Sequence, residues 1–167
     1  MKKLTIILFL FLSFQLFSQD TVLVKAVHDG DSYKVQYKDG RIRWIRLWGV
    51  DAPEVQSNHI TATQVYGREA GNNLRKVLKG KKVLIDSCST DSFKRIVAQV
   101  RIDSIDVTEY VLSTGNGWWL DNDGIDPVEL QKLKDLQEKA RLEKKGLWGM
   151  KGIKTRPSTF RKNNRKQ

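Results

Sequence analysis

Four carboxylates stand in two tight groups near the front of this 167-residue chain: Asp29 and Asp31 flank Gly30, and Asp51 and Glu54 flank Ala52-Pro53. Carboxylate oxygens are hard donors, and a pocket built from them suits Ca2+ or Mg2+. Zn2+ favours grouped histidine and cysteine ligands. The two histidines, His28 and His59, have no partner at ligand spacing and are left outside the site. An aspartate beside a glycine is also an ordinary turn former, so each group alone speaks equally of chain reversal. The chemistry depends on whether the two groups meet, and therefore on the elements that carry them.

Thr21 to His28 reads as a strand, and Asp29-Gly30 is the turn that ends it. Ser32 to Lys38 alternates again, with Tyr33, Val35 and Tyr37 on one face. Asp39-Gly40 is a two-residue hairpin signal. Arg41 to Val50 follows, with Ile42, Trp44, Arg46 and Trp48 on one face and Arg43, Ile45, Leu47 and Gly49 on the other. Pro53 cannot continue a central ladder and stops this third strand. If the meander brings its strand ends together, the four acids converge.

Beyond a loop, Gln64 to Lys79 has helical periodicity, with Ala70, Leu74 and Leu78 on one face and Gly80 as a stop. Lys82 to Cys88 and Arg95 to Ile102 read as a fourth and fifth strand, and Val107 to Ser113 as a short helix. Asp126-Pro127-Val128-Glu129 sets an N-cap, a first-turn proline and a reciprocal acid in order. The helix it opens carries Leu130, Leu133, Leu136 and Ala140, and Gly146 ends it, with Leu147-Trp148 returning to the core. The expected class is α+β: a five-stranded β-barrel with about three helices, in one domain.

The runs His28-Asp29-Gly30-Asp31-Ser32 and Arg46-Leu47-Trp48-Gly49-Val50-Asp51-Ala52-Pro53-Glu54 resemble the staphylococcal nuclease (thermonuclease) family. The resemblance continues through Tyr66-Gly67-Arg68-Glu69-Ala70, Asp91 to Arg95, Gly115 to Trp119 and Gly146-Leu147-Trp148, in the family's order over about residues 22–149. It implies an OB-fold barrel and a Ca2+-dependent endonuclease that cuts DNA and RNA with little sequence preference, leaving 3′-phosphates. It also implies roles. Asp31, Asp51 and the backbone carbonyl of Ala52 would hold the Ca2+, Arg46 and Arg95 would grip the scissile phosphate, and Glu54 would orient or deprotonate the attacking water.

Physical chemistry agrees with that allocation. A phosphodiester is already anionic, so attack by water requires charge neutralisation. Arginine stays charged and offers paired donors to phosphate oxygens. Such donors gain as charge builds on phosphorus. The match has departures. The family's Tyr-Gly-Arg is here Phe93-Lys94-Arg95, without the phenolic hydroxyl. The tyrosines that follow the tryptophan pair in the family are replaced by Leu120-Asp121-Asn122-Asp123, which leaves Trp118 and Trp119 as candidates to stack bases.

The ends of the chain read differently from its middle. Met1-Lys2-Lys3 followed by the apolar run Leu4 to Phe17 reads as an export signal over residues 1–19, with cleavage near Ser18-Gln19. The mature chain is then secreted or periplasmic, with no stable membrane insertion, and a monomer is expected. Cys88 is the one cysteine, so no internal disulfide forms, and a buried structural thiol is expected. The net charge is +11, and residues 151–167 contribute seven basic residues and no acid. The domain expected over 20–150 is therefore nearly neutral, and the tail reads either as a solvated terminus or as a polyanion-binding arm. Two readings compete with the nuclease: a non-catalytic OB-fold module that binds nucleic acid or polyanions, and an adhesion protein working through its basic tail.

Overall fold

The computed structural model of the chain describes residues 20–121, 125–152 and 154–166. The leader expected over residues 1–19 lies outside the described residues. Strands β1 (Asp20–Val27), β2 (Ser32–Gln36) and β3 (Ile42–Leu47) form the expected antiparallel meander. Alternation decides which side chains enter the barrel. Val22, Val24, Tyr33, Val35, Ile45 and Leu47 are buried, while Lys25 and Trp44 face outward. A bulge between Val24 and Ala26 shifts the phase of β1, so Val27 rather than Ala26 turns inward.

The third strand is shorter than its alternation suggests. It stops at Leu47, Gly49 takes a left-handed φ of 74°, and a separate strand β4 (Val50–Asp51) begins. A Cβ on Gly49 would sit 2.9 Å from Leu133 Cδ1, so close packing against a helix also requires glycine there. Strand β5 (Lys82–Thr90) pairs with β1 and with β6 (Ile96–Ile102), both antiparallel. Parallel pairing of β6 with β3, through Ile45↔Ile96, Arg46↔Val97 and Leu47↔Ala98, closes the five strands into a barrel. Closure removes free edges and fixes the start of β6 beside Arg46. Strand β7 (Ile105–Asp106) turns back to pair antiparallel with the end of β6, and β8 (Trp118–Trp119) pairs with β4.

Helix α1 (Gly67–Leu78) buries Ala70, Leu74 and Leu78, the two leucines contributing roughly 2 kcal/mol each from apolar burial. Helix α2 (Val107–Ser113) buries Val107, Val111 and Leu112. Helix α3 (Pro127–Leu142) starts as the sequence predicts, Asp126 accepting from the Val128 and Glu129 amides at 2.9 and 3.4 Å. Leu133 and Ala140 are its buried residues, and Leu147 follows them into the core from a short 3-10 turn. A fourth helix, α4 (Pro157–Asn164), forms within the basic tail, where no element was expected. None of the described helices is long and apolar enough to cross a membrane.

Cys88 is exposed rather than buried. It is the extra residue where the β5–β6 register slips between Ser87 and Ser89, on the stretch of β5 from Ser87 to Thr90 whose side chains are all exposed. Alternation within β5 carries no trace of that slip, because the slip arises from pairing with β6.

Candidate active site

The turn between β1 and β2 holds the first pair of acids. Asp29 Oδ1 accepts from the Asp31 amide at 3.1 Å and so shapes the reversal itself. The Asp31 carbonyl accepts from the Leu47 amide at 2.8 Å, which ties the turn to the end of β3. Its carboxylate reaches further: Oδ2 accepts from the Ala52 amide at 2.9 Å, directly joining the two acidic groups. Gly30 makes this approach possible. A Cβ there would lie 2.6 Å from Ala52 Cβ and 3.1 Å from Ala70 Cβ of α1. Two further glycines on α1 do the same service. A Cβ on Gly67 would meet the Glu54 carbonyl oxygen at 2.3 Å, and one on Gly71 would meet Asp29 Cα at 3.2 Å. The first turn of α1 is thus a smooth platform on which both acidic loops lie.

Arg46 bridges the pair. Its Nη1 donates to Asp31 Oδ1 at 3.2 Å and its Nη2 to Asp51 Oδ1 at 2.8 Å, with only 13% of the arginine side chain exposed. Burial disfavours the Asp31 charge, but Arg46, the Ala52 amide, the Ser32 hydroxyl and Arg95 together outweigh it and hold its pKa below the ordinary value. Burial would also weaken the Arg46 charge, and the attraction of Asp31 and Asp51 more than compensates. Asp29 goes the other way: burial and the neighbouring Asp31 charge raise its pKa well above the ordinary value. The two acids around Gly30 are therefore electrostatically distinct, their proton affinities shifted in opposite directions.

Glu54 is fixed through its backbone. Its amide donates to Gln64 Oε1 at 3.1 Å, and its carbonyl accepts from the Gln64 amide at 2.9 Å. Burial raises the Glu54 pKa above the usual carboxylate value, against an opposing hydrogen bond from Arg161. Arg95 stands at the entry to β6. Asp91 holds it, with Nε at 2.8 Å and Nη2 at 2.7 Å from Asp91 Oδ2, and Arg95 Nη1 donates to Ser32 Oγ at 2.9 Å. The turn survives without the family's glycine because Lys94 itself adopts φ 60°. Asp91 Oδ1 closes that turn by accepting from the Phe93 and Arg95 amides.

These groups share one cleft of about 710 Å3, lined by Asp29, Asp31, Arg46, Glu54, Arg95 and Arg161 among others. Trp44 and Phe93 give it two partly exposed aromatic walls, and His28 and His59, set aside on sequence, also line it. The tryptophan pair does not line it. Trp118 is buried edge-on against Trp148, and Trp119 lies under Lys134 and Arg156.

Asp31, Asp51, Arg46, Glu54 and Arg95 are thus gathered as one constellation. Sequence reasoning missed Ser32, Gln64 and Asp91, which hold its members, and missed Arg161. The signal for Asp91 was its place four residues before Arg95 across a reversal. For Arg161 the only signal was Arg156-Pro157 opening a turn, a helix start with little apolar pattern behind it.

The all-oxygen donor set fits a hard divalent ion. A cationic nitrogen, Arg161 Nη1, already sits between Asp51 Oδ1 at 2.8 Å and Glu54 Oε1 at 2.6 Å, so the two carboxylates can converge on one positive centre. Among the described residues no three His, Cys, Asp or Glu side chains are grouped as a ready cage. The acids of this site are turned instead onto Arg46 and Arg161.

The comparisons with known proteins agree with this geometry. Residues 44–150 match the family described as staphylococcal nuclease homologue. A protein named "Uncharacterized endonuclease" from Escherichia coli is 33% identical over 126 residues, covering 75% of this chain and 74% of that protein. "Probable endonuclease LCL3" from Komagataella phaffii is 38% identical over 113 residues, covering 64% of this chain and 49% of its own length. "Probable staphylococcal-like nuclease CAN4" from Oryza sativa subsp. japonica is 30% identical over 122 residues, covering 73% of this chain and 22% of its own. With the five-stranded barrel closed as the sequence resemblance implies and the family match spanning most of the chain, the protein belongs to the staphylococcal nuclease homologue family.

Proposed function

We propose that the chain is an exported, Ca2+-dependent endonuclease that hydrolyses phosphodiester bonds of DNA and RNA with little sequence preference, acting as a monomer. One observation carries this reading: Asp31, from the β1–β2 turn, and Asp51, on β4, share the Arg46 guanidinium, and Asp31, Arg46, Glu54 and Arg95 line one cleft. The names of the relatives as endonucleases support the activity. Export rests on the charged start and apolar run from Met1 to Phe17.

In this reading Asp31, Asp51 and the Ala52 carbonyl hold the ion. When bound, it supplies Lewis-acid polarisation and part of the charge neutralisation. Arg46 and Arg95 bind the anionic phosphate and strengthen their hold as charge grows toward the transition state. Asp91 and Ser32 keep Arg95 in place, so its ordering precedes substrate binding. Glu54 holds the attacking water or takes its proton. Partial burial raises its proton affinity above that of a solvated carboxylate, which suits the task. The family resemblance adds 3′-phosphate ends.

The test incubates the mature protein with single- and double-stranded DNA and RNA, with Ca2+ or with excess chelator. Cleavage is expected only with Ca2+, with 3′-phosphate ends, and is expected to fall about 100-fold in Arg95→Ala. Tight binding without cleavage under any divalent ion would replace this reading with the non-catalytic module.

A further inference from the structure

Helix α4 brings a side chain into the cleft that the proposed reaction does not use. Arg161 Nη1 lies 2.8 Å from Asp51 Oδ1 and 2.6 Å from Glu54 Oε1, and Nη2 lies 3.2 Å from Asp51 Oδ2. Asp51 Oδ1 also accepts from Arg46 Nη2 at 2.8 Å, so both of its lone pairs are engaged by guanidinium groups. A divalent ion binds carboxylate oxygens at about 2.3–2.6 Å. Arg161 already reaches both oxygens of Asp51, so an ion held by that carboxylate has to compete with the guanidinium for it. Repulsion sets the two positive centres against one another at Asp51, and Asp51 Oδ1 has no spare lone pair until one arginine leaves. Arg46 is the harder to move, being buried between two aspartates, whereas Arg161 is 35% exposed on a terminal helix.

The attachment of α4 is specific but light. Thr61 donates its amide and hydroxyl to the Asn164 carbonyl at 2.8 and 3.0 Å, and the Lys166 amide donates to the His59 carbonyl at 3.0 Å. Gln64 Nε2 donates to the Thr155 carbonyl at 2.6 Å. Of the helix itself only Pro157 is buried. Eight residues form a marginal helix in water without packing, so α4 gains most of its order from docking. Such an element has two accessible states, docked and released, separated by a modest free energy.

We propose that α4 is an internal competitor for the cation site: Arg161 fills the place of the divalent ion, and metal binding and α4 docking exclude one another. This rests on the assignment of Asp51 to the metal site. Docked, α4 neutralises the acids and keeps Glu54 engaged, which restrains the enzyme until a cation arrives. Released, it frees Arg161, Lys162, Arg165 and Lys166 for a polyanionic substrate.

The experiment measures Ca2+ affinity by calorimetry without nucleic acid, together with amide hydrogen exchange over residues 157–164. Arg161→Gln is expected to bind Ca2+ about ten-fold tighter, as for a site freed from a mostly docked state. Deleting residues 154–167 is expected to do the same, which guards against local misfolding of the point variant. Lys162→Gln, exposed on the same helix and with the same charge change, is expected to stay within about two-fold, since a remote surface charge is screened. In the wild type, saturating Ca2+ is expected to raise exchange across 157–164. Equal or weaker Ca2+ binding in Arg161→Gln, or unchanged exchange at saturation, overturns the proposal. Asp51→Asn separates the two layers. If it abolishes Ca2+ binding while Arg161→Gln matches Lys162→Gln, the metal assignment stands and the competitor falls. If it leaves Ca2+ binding intact, both fall.

Discussion

Arg46 shows how much of the site is decided by single side chains. It neutralises two nearly buried aspartates at once, and among the described residues no other side chain forms an ion pair with both. Removing one partner of a buried ion pair leaves charge stranded in a poor solvent, at about 3–5 kcal/mol. Arg46→Ala is thus expected to lose about 3 kcal/mol of folding stability as well as activity, and urea denaturation would show the loss as a lower midpoint. A variant as stable as the wild type would mean that solvent or a bound cation already supplies this charge. Asp31, Asp51, Arg46, Glu54 and Arg95 were legible because a motif fixes each by type and spacing. Arg161 was not, since its bond to Asp51 spans 110 residues and its neighbours carry no apolar period. Ser32 and Gln64 were likewise hidden, because their work is to hold other residues and many polar types could do it.

At the scale of elements, three glycines let the acidic loops meet on α1. Gly30 is the most demanding, with Ala52 Cβ only 2.6 Å from where its own Cβ would be. Gly30→Ala is expected to cost about 2 kcal/mol through overpacking and to push Asp31 away from the Ala52 amide. Its signature is a lower melting temperature together with a weaker Ca2+ affinity; normal values for both would show that the loops yield without cost. The meander, α1 and α3 could be read from alternation, hairpin turns and caps, because each rests on local chemistry. The break between β3 and β4, the bulge at Cys88 and the left-handed Lys94 could not. Each is settled by a distant partner: Leu133 against Gly49, β6 against β5, and Asp91 against the Lys94 turn. The Lys94 conformation costs about 1–2 kcal/mol against a glycine, which the Asp91 and Arg95 contacts offset.

For the molecule as a whole, placement of charge matters more than its sum. The net charge of +11 concentrates in residues 151–167, while the cleft is built around acids. Docking α4 brings part of that basic tail onto those acids, so the two extremes of the chain's electrostatics are joined in one place. Composition shows the imbalance but not where it folds, and the tail therefore read as a solvated or substrate-binding arm. The closed barrel supplies the rigid frame against which all this occurs, with parallel pairing of β3 and β6 holding Arg46 beside the start of β6, which Arg95 precedes. What the frame is for turns on Glu54. The most direct test compares Glu54→Gln with the wild type in Ca2+, measuring both cleavage rate at saturating substrate and dissociation constant for a short single strand. The account predicts a fall in rate of about 100-fold or more with binding within about three-fold. A variant that cleaves at the wild-type rate would contradict it.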